Sequence, residues 1–440
     1  MALIRTFGLK RTTLFSIAGA GAYGISLILM DIAIAHHYGT GTQAAVYQAA
    51  YIIPTLLVGM FSGGAVLGAF VPIFIRLGGQ NNQAEANVFL RTAAGTLLLI
   101  LIPLTALLIW AAPLLSEIIA SGFNSAERQE LTKTLKLMLP MLVPHAVAYV
   151  YYSALVSIGR VGVANVGPLL IPAAGMATLP WWNEHNGAEL IAIGYVLGSI
   201  LLSIMAGWRL WLDGFQVTPT FLVRSPQWGT FLRNYFITGI ALAALAILLM
   251  VSQVVAASLS ARDLAAFSFG TKLVLLALAF FTTVVNSVAL PHFSSLVASV
   301  GRRQTWMHIR HFALRAFVLT CLLSLLWFLL SEWIVSTVYA RGVFDDTDAI
   351  LVANVQRVFV LQIPFYVVGI FSWRMLNALC DWKPLLWATL PALLFNIATV
   401  SKLASMYHAV GIAGSYTLSI FIWALILFIA LRKRLASASR

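Results

Sequence analysis

A handful of charged side chains stand where apolar sequence would exclude them. Lys272 lies about three turns inside the run 262–303, RDLAAFSFGTKLVLLALAFFTTVVNSVALPHFSSLVASVGRR. A charge near a bilayer centre costs roughly 2.5–3.5 kcal/mol on insertion scales, so it meets a cavity or a partner. A lysine there is a compact cation suited to holding a phosphate. The alternative is a lysine paired with a carbonyl or with Asp263, which lies nine residues back, about 13 Å along a helix. Asp31 sits near the outer end of the first apolar run, as an interfacial carboxylate or a cavity group. Arg357 and Lys402, in the outer halves of later runs, add cationic surface or anchor the interface.

Two further sites suggest gates rather than binding. Arg341-Gly342 marks a turn in an outer loop. Arg374 and Asp381 are close enough in sequence to pair at an inner helix end. No catalytic constellation is present: there is no phosphate loop, no H-E-x-x-H and no pair of buried carboxylates. His36 and His37 are adjacent, so on a helix they point about 100° apart and make a poor metal pair. No catalytic residue, metal site or cofactor is expected, and any coupling ion or use of the membrane potential is left unspecified.

These side chains need membrane helices to position them. Of 440 residues, 61% are hydrophobic and only 9% charged, against about 25% charged in soluble domains. Windows of about 20 apolar residues give twelve helices, roughly 12–34, 46–72, 90–112, 136–158, 163–182, 189–212, 232–256, 263–290, 312–334, 355–379, 384–405 and 409–431. The N-terminal run lacks a small-residue cleavage site and is expected to stay as the first helix. With the N-terminus in the cytoplasm, 19 of the 27 Lys and Arg fall inside. The positive-inside rule then places both termini in the cytoplasm. The net charge of +13 therefore belongs to topology, and nucleic acid is not a partner; membrane lipids are. Cys321 and Cys380 both lie in apolar runs, so no disulfide framework is suggested.

The chain also repeats. Pro72-Ile73-Phe74-Ile75-Arg76-Leu77 and Pro291-His292-Phe293-Ser294-Ser295-Leu296 both read P-x-F-x-x-L near the end of the second helix of each half. An even number of helices per copy implies a parallel repeat about the membrane normal. The connection from about 213 to 233 divides the chain into lobes 1–222 and 223–440. Asn124 with Glu127 reads as a capping box opening a short outer helix.

Several stretches together resemble the MurJ/MviN family of lipid-linked precursor flippases in the wider MOP superfamily. They are Gly68-Ala69-Phe70-Val71-Pro72-Ile73-Phe74, Gly122-Phe123, Leu139-Pro140 and Val288-Ala289-Leu290-Pro291. The series continues with Val338-Tyr339-Ala340-Arg341-Gly342-Val343-Phe344, then Arg374, Ala378-Leu379, Asp381 and Pro384. The resemblance implies an all-α polytopic membrane protein, about twelve transmembrane helices in two six-helix lobes around a central cavity. It implies a cationic site for the pyrophosphate of a polyprenyl-linked sugar. Lys272 falls where the family has an arginine, and Asp31 matches the acid of its R-D pair. Met30, Ala45, Val58, Gly59 and Gly63 stand where the family carries further charges, so the chain reads as a divergent member.

The function so implied is a flippase for an undecaprenyl-pyrophosphate-linked glycan, either lipid II or an exopolysaccharide or O-antigen-type repeat unit. It would act in the bacterial inner membrane, beside glycan polymerases or glycosyltransferases. Two alternatives remain: a cation-coupled multidrug-type exporter, which needs buried carboxylates, and a non-transporting scaffold of a glycan synthesis complex.

Overall fold

The computed structural model of the protein describes residues 11–61, 63–79, 83–160, 166–221, 227–285, 289, 292–293, 302–379 and 383–436. Among these, every regular element is a helix. The chain divides into two compact units, Met1–Ile34 with Thr42–Ala246, and Ala35–Gly41 with Ile247–Arg440.

Unit one contains most of α1 (Arg11–Tyr38), then α2 (Thr42–Phe61), α3 (Gly63–Gly79), α4 (Gln83–Trp110) and the short α5 (Ala112–Ile119). It continues through α6 (Ser125–Met138), α7 (Leu142–Ser157), α8 (Leu170–Ala177), α9 (Gly187–Leu212) and the first part of α10 (Trp228–Leu259). The expected capping box opens α6: the Glu127 N–H donates to Asn124 Oδ1 and the Asn124 N–H to Glu127 Oε2, each at 2.9 Å. Pro140 lacks the N–H that would continue the helix, and a 3₁₀ turn at Leu139–Met141 separates polar α6 from apolar α7. Glycines let backbones meet where α8 crosses α9. A Cβ at Gly194 would lie 2.7 Å from the Ala174 carbonyl, and one at Gly198 2.6 Å from Leu170 O, a small-residue contact typical of membrane helices. Phe70 stacks on Phe89 at 4.9 Å, with Phe231 edge-on to Phe89 at 5.6 Å. The strand of chain after α9 is pinned to unit one: Tyr151 donates to the Val217 carbonyl at 2.6 Å and Arg91 to Thr218 O at 2.8 Å.

Unit two holds the rest of α10, then α11 (Ala261–Val284), α12 (Arg302–Tyr339), α13 (Asp346–Val360), α14 (Ile363–Ala378) and α15 (Lys383–Ala436). α13 and α14 meet at a 44° bend. The 54 residues of α15 are not one rod. His408 has φ 51° and ψ −138°, a conformation almost confined to glycine. Beyond it the chain runs back: Asn396 donates to Ser415 Oγ at 3.2 Å and Thr399 and Ser415 share a hydrogen bond of 2.8 Å. α15 is therefore two antiparallel arms, 383–407 and 409–436. Asn396 joins helix to helix, as an intramembrane amide should.

Seven described helical stretches are long and apolar enough to cross a membrane, or up to eight if the bent pair is one span. Twelve windows were expected. Part of the difference is that 383–436 counts once although it doubles back, and that α3 and α8 are too short to pass alone. The surface fits a bilayer. Only 17% of the most apolar window of α12 is buried, and Val318, Leu322, Leu325 and Leu329 lie exposed along it. Water would penalise such a stripe; lipid does not.

Candidate functional site

Lys272 is half-buried on α11, flanked by buried Thr271 and Leu273. Two residues before it, a Cβ on Gly270 would meet the Val352 carbonyl at 2.9 Å, so α11 and α13 pack closely there. Asp263, the acid considered as its partner, is engaged at the start of α11. Its N–H takes the Ser260 hydroxyl oxygen at 3.0 Å, and that hydroxyl donates back to Asp263 Oδ2 at 2.7 Å.

The other cations are placed differently. Arg357 on α13 donates to Glu332 of α12 at 2.9 Å and to Asn354 Oδ1 at 2.8 Å, so its charge is matched by a carboxylate. Lys402 is exposed on the first arm of α15. Arg374 on α14 lies over the Trp373 ring, 4.3 Å from its centroid. Its Nε is buried and makes no hydrogen bond among the described residues. Asp381, its expected partner, lies outside the described residues.

The outer loop of unit two is tightly organised. Gly342 has φ +66°, and a Cβ there would run into the His36 carbonyl; the Val343 N–H donates to that same carbonyl at 3.0 Å. Arg341 reaches only the Thr337 carbonyl, at 3.2 Å. Asp345 caps α13 by accepting the Asp348 N–H at 2.9 Å. The Thr347 hydroxyl and that N–H hold the Asp345 carboxyl below the usual carboxylate range. Asp348, only 7% exposed, accepts from the Thr40 hydroxyl (2.7 Å), the Thr40 N–H (3.2 Å) and Arg262 (3.0 Å). Charge on the spacing D-x-x-D at a helix start was the available signal, but its long-range partner Thr40 was not legible.

Asp31 on α1 is fully buried at 0% exposure. It interacts electrostatically with Tyr47 and Tyr195, whose hydroxyls lie 2.9 Å apart. The pair belongs to a tyrosine cluster that sequence reasoning missed. The i, i+4 spacing of Tyr47 and Tyr51 was its only visible trace. Among the described residues no group of three or more His, Cys, Asp or Glu could hold a metal ion.

The chain matches the family model "Lipid II flippase MurJ" over residues 34–439. A "Probable lipid II flippase MurJ" of Thermotoga maritima is 24% identical over 413 residues, 93% of this chain and 83% of that protein. One of Rhizobium tropici is 25% identical over 338 residues, 75% of this chain and 63% of that protein, so the chain spans just under two thirds of this relative's length. Among solved structures, "Lipid II flippase MurJ, inward closed conformation" has a TM-score of 0.79 at 20% identity, covering 95% of this chain and 87% of that one. An inward-facing multidrug resistance MATE family transporter of the MOP superfamily has a TM-score of 0.75 at 11% identity, covering 98% and 97%. At these identities the likeness is one of fold: an all-helical polytopic membrane fold common to both.

Proposed function

We propose that this chain, which belongs to the MurJ lipid II flippase family, moves an undecaprenyl-pyrophosphate-linked glycan precursor across the bacterial inner membrane by alternating access. The family is one of transporters, not enzymes, and the chain is a multi-pass membrane protein. In this reading twelve helices form two six-helix lobes, 1–222 and 223–440, with both termini cytoplasmic.

The observation that carries the reading is Lys272, a half-buried cation inside an apolar helix. A pyrophosphate is the natural ligand of such a charge, and a charge-assisted contact contributes about 1.5–3 kcal/mol. Arg357 is already matched by Glu332 and Lys402 is exposed, so both would act as outer attraction rather than as the central contact. Asp31 has no exposed surface and would orient its neighbours rather than touch phosphate. Arg341-Gly342 would form the outer gate and Arg374 with Asp381 the inner one. Lipid II is the substrate that the family's description favours. The neutral residues Met30, Ala45, Val58, Gly59 and Gly63 leave room for another lipid-linked repeat unit, handed on to a polymerase or glycosyltransferase.

The test is transport of a labelled lipid-linked precursor into proteoliposomes, beside rescue of cells depleted of their lipid II flippase. Lys272→Ala should lower transport about 10- to 100-fold, and Lys272→Arg should restore most of it. Undiminished transport by Lys272→Ala sinks the reading. Failure of rescue despite normal membrane levels, with transport of another glycan lipid intact, replaces lipid II as the substrate. One observation favours a second reading, a cation-coupled exporter: the full burial of the Asp31 carboxylate, since such carboxylates exchange ions in membrane transporters. Substrate-dependent proton or sodium flux that Asp31→Asn abolishes, without glycan transport, would establish it.

A further inference from the structure

Unit one holds a polar cluster that phosphate binding leaves unused. On α2, the Tyr51 ring stacks on Tyr47 at 5.9 Å and stands edge-on to Tyr195 at 5.5 Å. On α7, His145 stacks on Tyr149 at 5.1 Å, and Tyr149 stands edge-on to Tyr152 at 6.0 Å. The two groups meet at one helix junction, because α7 packs against both α2 and α9. Tyr51 and Tyr149 keep part of their surface accessible, whereas His145 is 6% exposed and Tyr152 3%.

The unmet hydrogen bonds in this neighbourhood select the ligand's chemistry. Neither ring nitrogen of His145 has a hydrogen-bond partner among the described residues, and neither does the Tyr152 hydroxyl. Such buried groups cost about 1–3 kcal/mol each until something satisfies them. A neutral imidazole presents one donor and one acceptor, and a phenol presents both. An ionised phosphate only accepts hydrogen bonds, an ammonium only donates them and a metal cation only takes lone pairs, so each leaves half of the set unmet. A hydroxyl meets both halves. Flat phenol faces beside it suit the apolar C–H face of a ring that carries hydroxyls around its edge.

We propose that this cluster binds the sugar of the transported headgroup: a neutral pyranose lies against Tyr51 and Tyr149 and takes hydrogen bonds with His145 and Tyr152. The proposal rests on the glycan-lipid reading above. Tyr47 and Tyr195, joined by their hydroxyls in front of Asp31, act as positioning residues that hold the Tyr51 ring.

Saturation-transfer NMR on the full chain in detergent micelles tests this, with methyl N-acetyl-β-glucosaminide as one probe and inorganic pyrophosphate, followed by phosphorus line width, as the other. Wild-type protein should transfer saturation to the sugar's ring protons. His145→Phe keeps an aromatic ring but removes both nitrogens, and with Tyr51→Leu should lower that transfer about fivefold. Pyrophosphate broadening should stay unchanged in both. Both variants should keep the wild-type melting temperature, which controls for misfolding. Lys272→Ala should do the reverse, losing pyrophosphate while keeping sugar. No transfer in the wild type overturns the proposal, as does equal transfer in His145→Phe and Tyr51→Leu. Loss of sugar binding on Lys272→Ala overturns it too. Sugar binding that survives while glycan-lipid transport is absent defeats the flippase reading alone.

Discussion

Among the described residues two aspartates are buried, and the two regions keep them by different means. Asp348, in the outer loop of unit two, is 7% exposed and surrounded by donors of full or partial positive charge: Arg262, the Thr40 hydroxyl and the Thr40 N–H. Asp31, in unit one, is 0% exposed and stands near the paired hydroxyls of Tyr47 and Tyr195. The first arrangement is a lock. An ion pair at the edge of water, with two more hydrogen bonds, fixes a loop against the turn at residues 39–40. The second is a carboxylate enclosed in the interior near neutral phenols. The two surroundings answer one desolvation problem in different ways.

The contrast can be broken most severely at Gly342. Valine there meets the His36 carbonyl and forces a β-branched residue to φ +66°, so a loss of roughly 3 kcal/mol or more is expected; unchanged denaturation in mixed micelles would show that the lock has slack. Next, Asp348→Ala removes the acceptor of both Thr40 donors and leaves Arg262 only the Thr347 hydroxyl, and about 2 kcal/mol should vanish from the same measurement. Tyr195→Phe removes a single neutral hydrogen bond, that to Tyr47, and should cost about 1 kcal/mol. If it costs more than Asp348→Ala, the phenols are the stronger support and the comparison inverts. The smallest effect concerns acid. Because the Asp345 carboxyl is held below its ordinary value of 3.8, its stabilisation is complete above that pH and fades as pH falls through the lowered value. Asp345→Asn should therefore lower the melting temperature slightly at neutral pH and flatten the acid side of the profile, so that the two proteins converge below about pH 4.

What could be read beforehand follows from range. Local rules worked for the Asn124–Glu127 box and the apolar windows, which depend on residues close in sequence. The 3₁₀ break at Pro140, by contrast, falls inside the single expected helix 136–158. The family resemblance worked because its short motifs keep their order along the chain. Contacts across helices did not announce themselves. Nothing in the sequence pairs Arg357 with Glu332, 25 residues away, or Asp348 with Thr40, 308 away. The tyrosines escaped notice because each reads as an ordinary packing residue on its own helix; only their convergence from α1, α2, α7 and α9 makes a cluster. Membrane spans were legible by composition, and the separate windows 384–405 and 409–431 already divide the chain where it doubles back at His408.

That reversal has a mechanical consequence. The Gly411 position admits the Leu403 carbonyl where any side chain would collide, so the two arms of α15 meet backbone to backbone within a few residues of the turn. With no slack between them, neither arm can slide a residue along its axis unless the other follows in the opposite sense. The pair behaves as a stiff clip, and a rearrangement of unit two has to tilt it whole.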